Sequence, residues 1–399
     1  MKRLFQNGRI LDGRGGVSEG GWILVNRGRI EAVGSGPAGA TEGLGNAEVV
    51  DLEGRTLLPG LIDCHVHLVL DGSPDPMTQA AALPDAAAVL RMAGNGRKTL
   101  AAGITTVRDL GAKNFIDVHY RDAVDAGIAQ GPRVSCSGQM ICITGGHGSQ
   151  MGCVADGPEG VRRAVRTQSG AGVDCVKLMA TGGVLTRGVV PGVPHLNPDE
   201  LQAGIEEAHK LGLRTAAHAQ SLAGSRNAVR AGIDSVEHGV GLDEELTEEM
   251  VRQGTFLVPT FGAPANIIAR AEKAGIPVEF VDKTKRLLEA HVAGFQRAVR
   301  AGVKIAMGTD AGTPFNLHGE NSRELERMVE HGLPAGEALR SATSRAAELL
   351  NLEEDVGSIA VGRWADFLVV DGNPLEDISV LGDPTRIHAV FRAGRRVER

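Results

Sequence analysis

The sequence predicts an α/β protein: a parallel (β/α)8 TIM barrel joined to a small composite β-sandwich domain that both termini build. Three observations support this prediction. Short alternating strands occur at both ends of the chain, eight apolar runs lie between them, and amphipathic segments separate most of those runs. The predicted boundaries are 1–56 and 358–399 for the two parts of the sandwich domain and 57–357 for the barrel.

The two ends of the chain share one pattern. The N-terminal stretch alternates apolar and polar residues and is broken by glycine in "LFQNGRILDG", "WILVNRGRIEAVG" and "AEVVDLEG". The C-terminal stretch has the same character in "SIAVGRWADFLVVDGNP" and "IHAVFRAGRRV". Because this alternation with glycine turns is typical of antiparallel hairpins, we expect both ends to form one small β domain.

Eight short apolar runs occupy the middle of the chain. They are "GLIDCHVHLVL", "GITTVRDL", "PRVSCSG", "DCVKLMA", "RTAAHAQ", "DSVEHG", "TFLVPT" and "KIAMGTDAG". Helical segments such as "PDELQAGIEEAHKLG" and "DEELTEEMVRQG" separate most of them, and several of these segments close on glycine, as helix ends do. A doubly wound open sheet is the alternative, but no GxGxxG motif follows the first strand of a βαβ unit. Eight β/α units favour a closed barrel.

Composition and charge exclude several classes of partner. The 399 residues carry a net charge of -7, which gives no basic surface for nucleic acid or for a membrane. The five cysteines are odd in number and form no CxxC pair, so neither a disulfide framework nor a zinc knuckle is indicated. The first residues lack the apolar run of a signal peptide, and no stretch is long enough to span a bilayer. We expect a cytoplasmic protein with a small-molecule substrate.

Side chains of ligand type cluster at the ends of the predicted strands. His65 and His67 lie one residue apart in the first run, so a strand directs both to the same face. Such a pair alone is equally compatible with ordinary packing. The ends of four further runs carry Lys177, His218, His238 and Asp310. Because the carboxyl ends of barrel strands meet at one face, these six residues predict a metal site there.

This set of residues resembles the pattern of the metal-dependent amidohydrolase superfamily, which has HxH on strand one, lysine on strand four, histidines on strands five and six, and aspartate on strand eight. The stretches "LLPGLIDCHVHL", "GTDAG" and "GSIAVGRWADFLVVDGNP" resemble the superfamily's framing of barrel and β domain, so the resemblance covers essentially the whole chain. "ITGGHG", "VKLMATGG" and "GIDSVEHG" are most similar to the branch with metal-dependent dipeptidases of the Xaa-Pro type and imidazolonepropionase-like hydrolases.

The resemblance implies a binuclear centre holding two divalent metal ions, for which zinc is expected. The implied ligands are His65, His67 and Asp310 for the first ion, and His218 and His238 for the second. A free ammonium is a poor metal ligand, so the resemblance implies that carbon dioxide adds to Lys177 and gives a carboxylate that bridges both ions. Asp310 would also accept a proton from the bridging water and pass it to the leaving nitrogen.

Loop residues complete the predicted site. By resemblance, His147 in "ITGGHGSQ" polarises the scissile carbonyl beside the second metal. Arg187 in "GGVLTRGVVPG" could pair with a substrate carboxylate, as a guanidinium does. His195 and His318 lie in loops after the fourth and eighth runs and could contact substrate. The remaining histidines are interpreted as structural: His119, His209, His291 (placed just before a helix), His331 and His388.

The leading functional prediction is hydrolysis of an amide bond in a dipeptide or an N-acyl amino acid by a bridging hydroxide. An alternative is hydrolysis of another amide, lactam or carbamate, xenobiotic amides included, because the metal centre leaves the pocket free to vary. A single-metal deaminase is disfavoured by Lys177 and by the lack of glutamate in "AAHAQS". A metal-binding scaffold without activity is disfavoured by Asp310. We also expect a homo-oligomer.

Overall fold

The computed structural model describes residues 2–36, 47–183, 190–270 and 278–398. The described residues divide into two compact units. The terminal unit comprises the described parts of Met1–Asp63, Arg97–Thr106 and Gly319–Arg399, and the central unit those of Cys64–Gly96 and Val107–His318.

The described strands and helices are numbered in chain order. The strands are β1 (Lys2–Leu11), β2 (Val17–Asn26), β3 (Arg29–Gly34), β4 (Glu48–Asp51), β5 (Thr56–Pro59), β6 (Leu61–Val66), β7 (Ile104–Asp109), β8 (Arg133–Cys136), β9 (Ile141–Cys142), β10 (Cys153–Val154), β11 (Cys175–Met179), β12 (Arg214–Ala219), β13 (Ser235–His238), β14 (Phe256–Val258), β15 (Lys304–Ile305), β16 (Phe367–Val370), β17 (Ile387–Arg392) and β18 (Arg395–Arg396). The helices are α1 (Pro76–Ala82), α2 (Asp85–Ala101), α3 (Ile116–Asp125), α4 (Pro158–Gly170), α5 (Pro198–Lys210), α6 (Leu222–Arg230), α7 (Glu244–Gln253), α8 (Gly262–Arg270), α9 (Val278–Ala301), α10 (Arg323–Glu330), α11 (Ala335–Ser341) and α12 (Ser344–Leu349).

One sheet of eight strands organises the terminal unit, in the order β18-β17-β16-β5-β1-β2-β3 with β4 paired to β1. The predicted sandwich stays a prediction, and hydrogen bonding among the described terminal strands is continuous. The reason is the antiparallel pairing of β16 with β5, which places Phe367 opposite Pro59 and joins strands from both ends of the chain. Phe5 packs edge to face against Phe367 and Phe391, with ring centroids 5.3 and 5.0 Å away, and these rings are buried in the core.

The strands that lead to the candidate site form two further sheets. Seven strands lie in the order β10-β9-β11-β12-β13-β14-β15, all paired in parallel, and β6, β7 and β8 form a three-stranded sheet. Each of the eight predicted apolar runs contains one strand: β6, β7, β8 or one of β11 to β15. The α/β class is confirmed. The strand pairs of the described residues form separate sheets and do not by themselves show a closed barrel.

Local sequence signals explain where the intervening helices begin and end. Asn197 caps α5 by accepting a hydrogen bond from the Glu200 N–H, and the Glu200 side chain bonds back to the cap. Asp243 caps α7 in the same sense, and Gly254 ends α7 at φ 74°, a left-handed conformation that glycine adopts without strain. These signals fix the start of α5 and both ends of α7.

Among the described helices of the chain, none is both long enough and apolar enough to cross a membrane.

Candidate metal and catalytic site

The structure brings the predicted ligand-type residues to one cavity of the central unit. His65, Lys177, His218 and His238 lie in β6, β11, β12 and β13, while His67 and Asp310 follow β6 and β15. All six side chains line this cavity together with His147. Each of these seven residues, taken as a whole, is at least nine-tenths buried. Residues from five separate strands therefore meet at the ends of those strands.

Three of these residues form a compact group of ligand atoms. The nearest ligand atoms of His65, His238 and Asp310 all lie within 4.8 Å of one another. The Asp310 Oδ1 is 3.4 Å from the Nε2 of His65 and 3.4 Å from the Nε2 of His67. Imidazole nitrogens and a carboxylate oxygen at this spacing are a donor set that zinc and similar divalent ions accept.

His238 also contacts a second group of imidazoles. Its Nε2 lies 2.9 Å from the Nδ1 of His218, and its Nδ1 lies 2.7 Å from the Thr260 hydroxyl oxygen. The His147 ring is centred 4.7 Å from the His218 ring. His238 therefore lies between the His65 and Asp310 group on one side and the His218 and His147 group on the other.

The Lys177 Nζ and the His218 Nε2 are buried in the cavity and have no hydrogen-bond partner among the described residues. Lys177 is 1% exposed and His218 is 5% exposed, so water does not freely solvate either group. An unpaired polar group in such a place costs roughly 1–3 kcal/mol, and buried polar groups are nearly always paired. Metal ions would satisfy both groups, one through the imidazole and one through a modified amine, so this pair of side chains fits a site that holds metal ions.

Burial also sets the protonation of the cluster. It lowers the pKa of His65, His218 and His238 well below the usual value, so these rings are neutral at pH 7 and keep a lone pair for a metal. Burial lowers the pKa of Lys177 to about 8, which raises the fraction of neutral amine. Burial alone would raise the pKa of Asp310, but the nearby His65 and His67 outweigh it and hold that pKa below its usual value.

The backbone takes an unusual conformation at three residues that lie at or just after the ends of strands. His238, Thr260 and Asp310 have φ values of 69°, 59° and 59°, in the left-handed region that residues other than glycine rarely adopt. The Asp310 N–H donates to the His65 carbonyl oxygen at 2.7 Å, which ties the segment after β15 to the first strand. These conformations hold the His238 and Asp310 side chains in the cavity.

Comparison with known proteins decides the family. The model of the Amidohydrolase family matches residues 56–397, which is most of the chain. This chain belongs to the amidohydrolase family. Its relatives include an ochratoxinase of Aspergillus niger, 32% identical over 367 residues that span 85% of this chain and 75% of the relative.

Solved structures similar to this amidohydrolase extend over its whole length. A Xaa-Pro dipeptidase with bound methionine in its active site has a TM-score of 0.90 and 32% identity, with full coverage of both chains. A prolidase complexed with N-methylphosphonate-L-proline has a TM-score of 0.91 and 33% identity, again with full coverage of both. The predicted resemblance to the dipeptidase-like branch is confirmed, and the protein is a hydrolytic enzyme acting on carbon–nitrogen bonds.

The loop residues of the amidohydrolase take different positions. His147 is 5% exposed and lines the cavity, and burial, followed by the charge of Lys177, lowers its pKa to about 3. The His195 Nδ1 lies 3.4 Å from the His147 main-chain N–H. His318 lies outside the set of cavity-lining residues, and its Nε2 is 3.2 and 3.1 Å from the carbonyl oxygens of His67 and Leu70. Arg187 lies outside the described residues, so all three substrate contacts stay predictions.

Sequence reasoning missed several residues of the amidohydrolase site. We interpreted His291 as structural and placed it before a helix; it lies within α9, is 3% exposed and lines the cavity. Its ring packs on Phe261, with ring centroids 4.4 Å apart. The placement before a helix was wrong because α9 begins earlier in the sequence than we expected. Glu237 and Arg108 were also overlooked, although opposite charges inside two apolar runs are a signal that could have found them.

A close approach of the backbone fixes His147, and this gives a first prediction. A methyl group on Gly183 would lie 2.2 Å from the His147 Nε2, closer than any real contact. Gly183→Ala should therefore displace the His147 ring and lower kcat/KM by roughly 10- to 100-fold, since a displacement of a reacting group by about 1 Å can lower the rate by about that factor. Gly170→Ala is the matched control, because its methyl group would meet nothing within 4 Å. Steady-state kinetics and metal content are measured on both, and an unchanged kcat/KM in Gly183→Ala would remove His147 from the reaction.

Proposed function

We propose that this amidohydrolase is a binuclear metal-dependent enzyme that cleaves the amide bond of a dipeptide or an N-acyl amino acid. One observation supports this above all: a buried cavity gathers six histidines, one aspartate and one lysine, and its Lys177 Nζ and His218 Nε2 have no hydrogen-bond partner among the described residues. The dipeptidase and the prolidase similar to this chain support the choice of a dipeptide.

The proposal includes a closed eight-stranded barrel, for which backbone hydrogen bonds give support. The Cys64 N–H donates to the Met307 carbonyl oxygen at 2.8 Å, and the His67 N–H donates to that of Ala311 at 2.9 Å, so β6 lies beside the segment after β15. The Asp174 N–H donates to the Cys136 carbonyl oxygen at 2.8 Å, which connects β8 to the start of β11. Closure would place the cavity at the carboxyl ends of the strands, where barrel enzymes carry their sites.

The donor set fits two divalent ions, zinc being the expected metal. His65, His67 and Asp310 would hold one ion, and His218 and His238 would hold the other. The neutral amine of Lys177 would attack the carbon of carbon dioxide, so that an N–C bond forms while one C=O bond becomes C–O⁻, and the nitrogen would lose one proton to water. The resulting carboxylate would add an anionic ligand for the ions. When bound, the ions would activate a water molecule and polarise the carbonyl oxygen of the substrate.

Two side chains would carry the proton and charge movements of amide cleavage. Asp310, ionised because its pKa is lowered, would accept a proton from the attacking water and later give it to the leaving nitrogen. His147, neutral because burial lowers its pKa to about 3, would donate one N–H to the oxygen that becomes negative. Both side chains line the cavity, so both can reach a bound substrate.

The walls of the cavity indicate an apolar substrate. Its apolar lining residues are Leu70, Met77, Met140, Met151, Met179, Val240, Ala263, Pro264, Ile267, Leu287 and Pro314. Among the described lining residues, ionisable groups are confined to Asp310, Lys177 and the histidines. Methionine side chains are flexible and polarizable, so they fit apolar groups of varied shape. A charged substrate side chain would lose its hydration in this cavity, and apart from Lys177, Asp310 and the histidines the described lining residues offer it no ionisable partner.

We therefore predict a preference for apolar side chains. Dipeptides with two apolar residues should be cleaved at least about tenfold better in kcat/KM than those carrying one lysine or glutamate, because a charged side chain loses its hydration in the cavity. A tenfold difference corresponds to about 1.4 kcal/mol of transition-state binding. Leu287→Glu places a carboxylate in the cavity wall and should improve the relative rate for lysine-containing dipeptides. Leu288→Glu is the matched control, since this neighbour on α9 is also half-buried but does not line the cavity. Equal rates for apolar and charged dipeptides would contradict the prediction.

One experiment tests the proposed function as a whole. Elemental analysis of the purified, metal-supplemented protein would be followed by hydrolysis assays with dipeptides, N-acyl amino acids, lactams, carbamates and aryl amides. We expect two divalent ions per chain and the highest kcat/KM with a dipeptide or an N-acyl amino acid. One ion or none would overturn the binuclear centre. Activity confined to lactams, carbamates or aryl amides would overturn the dipeptidase proposal.

The cellular setting is part of the proposal. All five cysteines are free thiols, and four of them are buried. Free thiols persist in reducing compartments, which supports a location in the cytoplasm. The homo-oligomer stays a prediction.

A further inference from the structure

A fully buried ion pair lies directly behind His65. The Glu237 carboxylate is 0% exposed and Arg108 is 1% exposed, and the Arg108 Nη2 donates to the Glu237 Oε1 at 2.9 Å. The other carboxylate oxygen of Glu237, Oε2, lies 2.9 Å from the His65 Nδ1. The three residues come from β7, β13 and β6, so the contacts link three strands.

The direction of the hydrogen bond between Glu237 and His65 follows from the other partners of Glu237. Its Oε1 already accepts from Arg108 and from the Ser235 hydroxyl, at 2.9 and 2.6 Å. A carboxylate paired with a guanidinium is an acceptor only, so the His65 Nδ1 must carry the hydrogen. In a neutral imidazole the hydrogen on Nδ1 leaves a lone pair on Nε2, and this Nε2 is the atom that lies 3.4 Å from Asp310.

Arg108 donates hydrogen bonds from three of its nitrogens, and these contacts fix it beside Glu237. Besides its bond to Glu237, its Nε donates to the Cys64 carbonyl oxygen at 2.6 Å and its Nη1 donates to the Ser235 hydroxyl at 3.1 Å. Burying such a pair is expensive, and well-packed apolar residues often serve the fold equally well or better. The stability of the fold is therefore a weak explanation for the presence of this buried ion pair.

We propose that Glu237, held by Arg108, is a positioning residue that fixes the tautomer and ring orientation of His65 so that its Nε2 lone pair faces the cavity. Acceptors behind a metal-ligating imidazole commonly have this effect, and their loss typically costs about 10- to 100-fold in metal affinity. The inference rests on the proposed function in one respect: His65 must bind a metal for the tautomer to matter.

Two double variants separate the positioning role from a purely structural one. R108M/E237Q removes both charges but keeps an oxygen that can accept from the His65 Nδ1. R108M/E237M removes the charges and the acceptor together. Neither variant leaves an unpaired buried charge, so both should fold, and denaturant unfolding measures how stable each one is. The two proteins differ mainly in whether residue 237 can accept a hydrogen bond.

Nitrogen NMR of the metal-free, full-length protein gives a readout independent of activity. With 15N-labelled histidine, and with His65→Gln to assign the signal, we expect the hydrogen on Nδ1 in the wild type and in R108M/E237Q. In R108M/E237M we expect a mixture of tautomers. The same tautomer in all three proteins would overturn the inference.

Metal affinity, measured by competition with a chelator, supplies the second readout. R108M/E237M should bind zinc about 10- to 100-fold more weakly than R108M/E237Q, with the loss confined to one of the two ions. Equal affinities would overturn the positioning role of Glu237. A wild-type protein that binds no zinc would instead overturn the proposed function, so the two failures are distinguishable.

Discussion

Lys177→Ala is expected to abolish occupancy by two metal ions and to lower kcat/KM by on the order of 10³-fold or more, because the proposed bridging carboxylate cannot form without the amine. The Lys177 Nζ is buried in the cavity and has no hydrogen-bond partner among the described residues. Its pKa of about 8 leaves more neutral amine than an exposed lysine would have. Elemental analysis and steady-state kinetics on the same preparation measure both effects.

Lys113→Ala is the matched control for this prediction. Lys113 is also buried, but its amine donates to the main-chain carbonyl oxygens of Ala81 and Leu83 and does not line the cavity. We expect it to keep two ions per chain. Short carboxylic acids such as acetate or propionate should fit the space left in Lys177→Ala and restore part of the activity. Two ions bound at native affinity in Lys177→Ala would disprove the carboxylated lysine.

Asp310→Asn should lower kcat by on the order of 10³-fold, because asparagine fills the same space but cannot accept the proton of the attacking water. Asp310 also lies 3.4 Å from the Nε2 atoms of His65 and His67, so some loss of metal affinity is expected. Kinetics at saturating metal separate the two effects. A change in kcat below about tenfold under those conditions would exclude Asp310 as the acid and base.

A second aspartate provides the control. Asp234 lies just before β13, where its carboxylate accepts from Arg214 and Thr215, and it is not among the cavity-lining residues. Asp234→Asn should lower the free energy of unfolding while leaving kcat within about threefold of the wild type, because it removes a structural ion pair. A large loss of kcat in this variant would mean that Asp310→Asn also acts through the fold.

Periodicity made much of the architecture predictable. The eight apolar runs gave eight strands, because strand-forming composition is a local property that a sequence displays directly. The alternation of side chains in β6 likewise predicted that His65 and His67 would share a face. The pattern at both ends predicted one shared β domain, but it did not predict that β5 pairs with β16, since this pairing depends on contacts between residues some three hundred positions apart.

Some residues of the site could be predicted from the sequence and others could not. Residues at strand ends could be predicted because the ends of parallel strands meet at one place, and the structure does bring His65, His238 and Asp310 together. His291 could not be placed, because whether a helical histidine faces a cavity depends on how α9 packs. Glu237 was missed because a charge next to His238 seemed unremarkable without its partner Arg108, which lies far away in sequence.

The left-handed backbone at His238, Thr260 and Asp310 has a consequence for how the fold and its activity can separate in evolution. Each such residue stores about 1–3 kcal/mol of conformational strain, which glycine at the same position would release. Substitutions to glycine there are expected to destroy the site while sparing, or even raising, the stability of the chain. Inactive descendants can therefore arise that still fold and accumulate normally. In sequences that share this fold, the identity of these strand-end residues is thus a better guide to activity than similarity along the whole chain.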